Sequence, residues 1–275
     1  MALQRTARLA SVALAAGLAL NAARAQSGYP DHPVKVVVGF AAGGGTDVAA
    51  RVIAQKLSEA IGQTFVVENR PGASGLIASD QVAKSPPDGY TIMVGSQTTL
   101  AVAPALYRKF QIDATKDLTG LAMIGISPLV AVVNANSPIH SIKDLIAEAK
   151  AKNGTMNFGS GGVGTTPHMA GELFAFNAGI KWVHVAYRGE APGLNDLLGG
   201  QIPFMFSNLS VVIGNIQAGK LRALAVTSPK RVAQLPDVPT IAETFPGFDA
   251  ATWFALVAPA GTPRDAIMKI NAETK

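Results

Sequence analysis

Two glycine-rich loops in this 275-residue chain contain the residue types that bind a small anion. The first reads FAAGGGTD, from Phe40 to Asp47, and the second reads SGGVGTTPH, from Ser160 to His168. Each lies between an apolar run and a helical pattern. Backbone N–H groups at a helix start can bind an anion, and glycine lets the backbone approach it closely. The loops therefore predict anion binding, with a plain tight turn as the alternative for each.

The spacing of the glycines does not fit a nucleotide. A P-loop needs a lysine where Gly45 stands, and the dinucleotide pattern G-x-G-x-x-G begins at Gly43 but is broken by Val48. A nucleotide carries several negative charges, whereas neither loop contains Lys or Arg. A carboxylate has one charge on two oxygens, so neutral backbone and hydroxyl donors suit it better.

Patterns for catalysis or metal binding are weak. The G-x-S-x-G elbow is absent because Phe158 stands where its first glycine should be. His168 and Glu172 share a predicted helix face but have no third metal ligand nearby in the sequence. We therefore predict no catalytic residue, no metal and no cofactor. An enzyme that uses His168 with Ser160 or Thr165 is the alternative.

Residues 1–25 have the layout of a secretory signal peptide. Two arginines precede an apolar run from Leu9 to Leu20, and the small-x-small tripeptide Ala-Arg-Ala ends at Ala25. The apolar run, about 12 residues, is too short for a permanent membrane span. We expect cleavage after Ala25 and location in the periplasm.

Charge and cysteine content exclude several classes of protein. The chain has 23 Lys and Arg against 18 Asp and Glu; without the three arginines of residues 1–25 the balance is 20 against 18, a net charge of +2. This near balance argues against a nucleic-acid partner. The absence of cysteine excludes disulfides, thiol nucleophiles and Cys-ligated metals.

Strands and helices must position the two loops, and their patterns alternate along the chain. Strands are predicted at 34–40, 65–69, 90–96, 129–134, 156–160, 182–187, 203–208, 222–228 and 252–259. This alternation indicates an α/β fold with mainly parallel sheets. In such sheets ligands bind beyond the carboxyl ends of strands, so two facing loops would clamp an anion from both sides.

An ordered set of motifs resembles a known family. The motifs are AGGGTDVAAR, VVENRPGASG, PDGYTIMVGS, GVGTTPHMAGELF, YRGEAPGLNDLLGGQ, AGKLRALAVTS and LPDVPTIAE. From about Tyr29 to the C terminus, the chain is similar to the extracytoplasmic solute receptors of tripartite tricarboxylate transporters, also called Bug receptors.

The resemblance implies a two-lobed periplasmic-binding-protein fold of the second topological type, each lobe a mainly parallel sheet flanked by helices. Lobe 1 would comprise residues 28–126 and 229–275, and lobe 2 residues 127–228. A small organic carboxylate, such as a di- or tricarboxylate, would be captured between the lobes and delivered to a membrane permease by a monomeric receptor. A sensor subunit for a membrane kinase is a further alternative.

The resemblance also implies the ligand-binding residues. They are Phe40, Ala42, Gly43, Gly44, Thr46 and Asp47 in the first loop, Ser96 at a strand end, Ser160, Gly161, Gly164, Thr165, Thr166 and His168 in the second loop, and Tyr187 and Asn208 in the cleft.

Three features depart from the family pattern. Ala103 replaces a typical asparagine, and Ser207 replaces an acidic residue near the cleft. Loss of that acid is expected to weaken recognition of an ammonium group and to favour plain carboxylates. Members normally continue beyond the helix that ends at INAETK, so we expect the C-terminal part of lobe 1 to be truncated.

Overall fold

Nine β-strands form two sheets, one in each half of the molecule, which are joined by a long strand common to both. The computed structural model describes residues 28–107 and 112–275, so the predicted signal peptide lies outside the described residues. Within those residues the strands are β1 (Val34–Val38), β2 (Phe65–Asn69), β3 (Thr91–Ser96), β4 (Leu118–Asn134), β5 (Asn157–Ser160), β6 (Val183–Ala186), β7 (Phe204–Asn208), β8 (Leu221–Val226) and β9 (Ala251–Pro259).

The long strand β4 joins the two halves. Its first part pairs with β9 as far as Pro128, which lies opposite Ala251. From Leu129 onward β4 pairs with β7 and β8 instead. Strands β2, β1, β3 and β9 therefore lie on one side of this change of partner, and β7, β5, β6 and β8 lie on the other.

Parallel pairing is confined to the outer strands of each half. β1 pairs in parallel with β2 and β3, and β5 does so with β6 and β7. Each antiparallel pair of the described strands involves β4 or β9, the two strands at which the chain crosses between the halves. The sheets are therefore mixed rather than mainly parallel.

The sequence patterns located only the second part of β4. Residues 118–128 include Gly120, Gly125 and Pro128, which lower strand propensity. The ladder with β9 is also irregular, with shifts of register after Gly120 and after Met123. A strand that bends between two sheets has no clean hydrophobic alternation, so it was missed.

Helices flank the sheet. They are α1 (Gly45–Ile61), α2 (Leu76–Ala83), α3 (Ala103–Leu106), α4 (Ala114–Asp117), α5 (Ile142–Ala151), α6 (Thr166–Ala178), α7 (Glu190–Leu198), α8 (Leu209–Gln217) and α9 (Arg264–Glu273), with 3₁₀ turns at Ala73–Gly75 and Ile241–Glu243 and a π-helical turn at Thr98–Val102. Among residues 28–107 and 112–275, none of the helices combines the length and apolarity needed to cross a bilayer.

Local sequence signals explain where helix α6 begins and ends. Thr165 caps its start, because its side-chain oxygen accepts a hydrogen bond from the N–H of His168. Pro167 lies in the first turn, where a missing N–H costs nothing. Gly179 ends the helix with a φ of 61°, the left-handed conformation that glycine adopts readily.

Each half buries its own hydrophobic core. One core contains Val36, Leu57, Ile92 and Leu256 from β1, α1, β3 and β9. Another contains Phe158, Phe174, Phe204 and Leu129 from β5, α6, β7 and the second part of β4. We call the first half lobe 1 and the second half lobe 2; the predicted two-lobed α/β fold is confirmed.

The segment that follows β8 packs on lobe 2. We expected residues 229–275 in lobe 1, but Leu235 joins one core cluster of lobe 2, and Ile241 and Phe248 join another. This proline-rich segment has neither a strand nor a helix pattern, so its partner could not be read from the sequence. We propose that lobe 2 extends from about Leu129 to Ala250.

Candidate ligand-binding cleft

A small cavity lies between the lobes where the N-termini of α1, α6 and α7 converge. It holds about 20 Å³ of free space, room for about one or two water molecules. Its walls are formed by Phe40, Gly44, Gly45, Thr46, Ser96, Thr98 and Thr252 of lobe 1 and by Gly161, Thr165, Thr166, Pro167, Gly189, Glu190 and Asn208 of lobe 2.

The first loop is braced from within by Asp47. This carboxylate accepts hydrogen bonds from the N–H of Gly43 at 2.9 Å, from Nε of Arg51 at 2.9 Å and from Nδ2 of Asn69 at 2.8 Å. Burial by itself would raise the pKa of the Asp47 carboxyl, but these hydrogen bonds and the charge of Arg51 outweigh it and lower the pKa. Asp47 therefore shapes the loop and does not line the cavity.

The start of α1 reaches across the cleft to lobe 2. The N–H of Gly45 donates to Oε1 of Glu190 at 3.3 Å, and the N–H of Ala41 donates to the carbonyl of Arg188 at 3.3 Å. A Cβ atom on Gly45 would lie only 2.7 Å from Nδ2 of Asn208. Glycine is needed here because any side chain would hold the lobes apart.

The second loop is braced by neutral groups. Oγ of Ser160 accepts from the N–H of Gly162 at 3.1 Å and lies 2.6 Å from Nε2 of His184. Oγ1 of Thr165 donates to the carbonyl of Gly162 at 2.7 Å. Ser160 is fully buried and does not line the cavity, so its hydroxyl holds the loop in shape.

Two histidine rings stack behind the second loop. The centroids of His168 and His184 are 3.9 Å apart, and Nδ1 of His168 accepts from the N–H of Gly164 at 3.0 Å. Burial lowers the pKa of both rings, that of His184 to about 4 with a further contribution from His168. Both imidazoles are therefore neutral at pH 7 and support the loop.

No metal centre is formed by the described part of the chain. Nε2 of His168 lies 3.7 Å from Oε1 of Glu172, as the helical spacing predicts. Within residues 28–107 and 112–275, three or more His, Cys, Asp or Glu side chains nowhere gather as a metal ion would require.

Glu190, the first residue of α7, places a carboxylate in the wall of the cavity. Its Oε1 accepts from Nδ2 of Asn208 at 2.7 Å and from the N–H of Gly45. Its Oε2 accepts from Oγ of Ser207 at 2.6 Å and from the N–H of Asn208 at 2.7 Å. The residue is 7% exposed.

The role of Glu190 was missed from the sequence. The motif YRGEAPG contains it, but helix-start glutamates are common and the residue lies 145 positions from Gly45. Ser207 stands where an acidic residue was expected, and Glu190 brings a carboxylate to its hydroxyl from another element.

Three buried polar atoms of the cavity wall have no hydrogen-bond partner in the described chain. They are Oγ1 of Thr166, Oδ1 of Asn208 and Oγ1 of Thr252, in residues that are 4%, 3% and 3% exposed. A buried polar group without a partner costs about 1–3 kcal/mol. Their convergence on one cavity from both lobes points to a polar occupant.

A wider chamber of about 460 Å³ adjoins this cavity. It shares Phe40 and Gly161 with the cavity, and its other walls include Ser74, Tyr107, Tyr187 and Arg188. The Tyr187 hydroxyl donates to Oδ2 of Asp196 at 2.7 Å. Burial and the Asp196 carboxylate raise the pKa of Tyr187 to about 12, so the phenol remains protonated.

The structure brings together about half of the predicted site residues. Those that line the small cavity are Phe40, Gly44, Thr46, Ser96, Gly161, Thr165, Thr166 and Asn208. Those placed outside its lining are Ala42, Gly43, Asp47, Ser160, Gly164, His168 and Tyr187. Sequence reasoning missed Gly45, Thr98, Pro167, Gly189, Glu190 and Thr252.

Comparison with known proteins identifies relatives along most of the chain. Residues 49–275 match the tripartite tricarboxylate transporter family receptor. BugT of Bordetella pertussis is 40% identical over 245 residues, which cover 88% of this chain and 75% of BugT.

Solved structures agree in fold. A Rhodopseudomonas palustris protein with adipate is 39% identical and superposes with a TM-score of 0.87, covering 90% of this chain and 83% of that protein. MatC from the same species, with bound malate, is 31% identical with a TM-score of 0.84, covering 90% and 84%. The resemblance seen in the motifs is thus confirmed, and the chain belongs to the receptor family of the tripartite tricarboxylate transporters.

Proposed function

We propose that this protein is a periplasmic receptor that captures a small organic carboxylate between its lobes and delivers it to the membrane permease of a tripartite tricarboxylate transporter. The observation that carries the proposal is the convergence of helix N-termini from both lobes on a cavity with unpartnered, buried polar atoms. The first N–H groups of a helix have no acceptor within the helix and favour an anion.

Capture requires the lobes to move apart. The free space of about 20 Å³ is far below the about 300 Å³ of a small ligand pocket. Hydrogen bonds cross the cleft, such as that from Oγ of Ser74 to the carbonyl of Val163 at 2.5 Å, and must break for the lobes to separate. Hinge motion at Pro128 and near Ala250, where the chain crosses between lobes, would open the cleft.

The relatives support a carboxylate as the ligand. The two solved proteins hold adipate and malate, which are both dicarboxylates. In the present chain, ligand contacts are proposed for the eight predicted residues that line the cavity and for Glu190, Thr98 and Thr252. Of the other predicted residues, Tyr187 lines the outer chamber and the rest belong to the two loops.

The geometry does not favour the alternative of an enzyme. The contact between Ser160 and His184 has the distance of a nucleophile and its base, but Ser160 is fully buried outside the cavity lining. Nδ1 of His168 is occupied by the N–H of Gly164. A receptor role needs neither group to react.

A thermal-shift panel tests the proposal. Purified protein would be heated with aliphatic mono-, di- and tricarboxylates, aromatic acids, acidic amino acids and nucleotides. An acid present at 100 times its dissociation constant adds about 2.7 kcal/mol of stability. Stabilisation by a nucleotide and by none of the acids would contradict carboxylate capture.

Location and partners are tested separately. We expect the mature protein in the periplasmic fraction, with its N terminus immediately after Ala25. Light scattering should give the molar mass of a monomer. It should co-purify with permease subunits only when a bound acid holds the lobes together. Retention of residues 1–25 in a cytoplasmic fraction would contradict this part of the proposal.

A further inference from the structure

Glu190 is a buried anion that carboxylate capture does not require. Each of its two carboxylate oxygens accepts two hydrogen bonds. One of the four comes from the N–H of Gly45, the first residue of α1. All four partners are arranged as donors, as an ionised, acceptor-only carboxylate needs. No lysine or arginine is among these partners. The carboxylate therefore occupies part of the first loop's anion-binding capacity with the protein's own charge.

That charge restricts what can lie beside it. A negative group at the start of α1 is favoured by the helix dipole, and Glu190 already fills this role. Another carboxylate placed next to Glu190 would meet a like charge at low dielectric with no cation to offset it. The ligand's carboxylate is then directed to the first-turn N–H groups of Thr46 and Thr166 and to nearby hydroxyls.

Asn208 presents an acceptor to the same space. Its amide orientation is set by Nδ2, which donates to Oε1 of Glu190 at 2.7 Å. Oδ1 therefore faces away from that bond, and it accepts from no group in the described chain although Asn208 is 3% exposed. Only a donor within the cavity can satisfy this oxygen.

We infer that Glu190 and Asn208 make the cleft select carboxylates that carry a hydrogen-bond donor beside the carboxylate, namely 2-hydroxy or 2-amino acids, over the unsubstituted acids of the same length. This inference rests on the proposed function. An unsubstituted acid leaves Oδ1 of Asn208 unpaired, and discrimination against a ligand that lacks a donor is strong when it leaves buried groups unpaired.

The test measures dissociation constants by isothermal titration calorimetry at pH 7 with matched sets of acids. One set is succinate, malate and aspartate, and the others are propionate, lactate and alanine, and adipate with 2-hydroxyadipate and 2-aminoadipate. In wild-type protein we expect the substituted members of at least one set to bind at least tenfold more tightly than the unsubstituted acid. If the amino acid binds more tightly than the hydroxy acid, most of the selectivity comes from the negative charge of Glu190. If the two bind equally, most of it comes from the acceptor oxygen of Asn208.

Two variants and one control locate the effect. Glu190→Gln and Asn208→Leu should bring the affinity ratio between substituted and unsubstituted acid close to one. The ratio does not depend on a general loss of folded protein, because that affects all members of a set alike. Glu148→Gln, the same chemical change on the exposed face of α5, should leave the ratio unchanged.

The outcomes separate this inference from the proposed function. If unsubstituted acids bind as tightly as their substituted partners, or if the ratio survives in both cleft variants, the inference is overturned while the receptor function stands. If no acid in any set binds, the proposed function fails and the inference fails with it.

Discussion

The two glycine loops look alike in sequence, but the structure gives them different electrostatic environments. The first loop is organised around two carboxylates, Asp47 from within and Glu190 from the opposite lobe. The second loop is organised by the hydroxyls of Ser160 and Thr165 and by two neutral histidines. The two loops have similar backbones, but only the first has the positive potential of its N–H groups offset by carboxylates of the protein.

This difference assigns different tasks to the loops. At the first loop the protein supplies its own anion, Glu190, and this contact joins the two lobes at the start of α1. At the second loop the Thr166 hydroxyl has no partner in the described chain, and the first-turn N–H groups are compensated by no charged side chain of the loop. We expect the ligand's carboxylate to depend more on the second loop.

The largest expected effect is a loss of stability that compares Asp47, the charged acceptor within the first loop, with Ser160, the neutral acceptor within the second. Asp47→Ala removes a charged acceptor from Gly43, Arg51 and Asn69, and hydrogen bonds to a charged group contribute about 1.5–3 kcal/mol each. Because Arg51 can turn to solvent, we expect a loss of about 3 kcal/mol, or about 6–12 °C in melting temperature for a chain of this size.

Ser160→Ala is the matched change in the second loop. It removes a neutral acceptor and should cost about 1 kcal/mol. Urea unfolding of both variants measures the two losses. An equal or larger loss in the Ser160 variant would show that the charge of Asp47 is not what distinguishes the first loop.

An intermediate effect tests the close approach of α1 to lobe 2. In Gly45→Ala the added Cβ would lie 2.7 Å from Nδ2 of Asn208, so the lobes cannot close fully. We expect affinity for the acid found in the thermal-shift panel to fall about tenfold, or about 1.4 kcal/mol. Small-angle X-ray scattering should show a larger radius of gyration.

Gly214→Ala is the control for that change. A Cβ on Gly214, in the interior of α8, would meet nothing within 4 Å. Replacing a helical glycine should therefore leave affinity unchanged and raise stability by about 0.5–1 kcal/mol. If both variants bind the acid like the wild type, the contact between Gly45 and Asn208 does not govern closure.

The smallest effect concerns acid sensitivity of the second loop. Burial lowers the folded-state pKa of His184 to about 4 and that of His168 below its ordinary value of 6.5, so the unfolded chain binds more protons in this range. Stability is therefore fully present above about pH 6.5 and is lost as the pH falls towards 4. Because both rings are only partly buried, we expect a loss of about 1 kcal/mol.

His184→Gln should reduce this slope in melting curves recorded between pH 7 and pH 4, whereas His140→Gln, at an exposed site before α5, should not. An unchanged slope in the His184 variant would assign the acid sensitivity to other groups, such as the Asp47 carboxyl with its lowered pKa.

Much of the fold could be predicted because its signals are local. Apolar runs located all nine strands of the described chain to within a few residues, apart from the first part of β4. The helix predicted after the second glycine loop is α6, in which Thr165 is the cap and Pro167 lies in the first turn. The first part of β4 was the exception because this strand bends between two sheets, and its conformation there depends on the partner strands rather than on strand propensity.

The candidate site could be predicted only in part. Glycine loops and helix starts are contiguous in sequence, so Gly44, Thr46, Thr165 and Thr166 were found. Thr98, Thr252 and Glu190 come from separate elements and have no motif that points to a ligand. Thr98 and Thr252 come together because β3 and β9 pair within lobe 1, and Glu190 reaches the cavity from lobe 2.

The sequence alone shows two glycine loops without lysine or cysteine, whose neutral backbone donors suit a small anion. That the first of these loops already binds a carboxylate of the protein, Glu190, became visible only in the folded structure. Glu190 lies 145 residues from Gly45 along the chain, so their hydrogen bond forms only when two separate hydrophobic cores bring the two helix starts together.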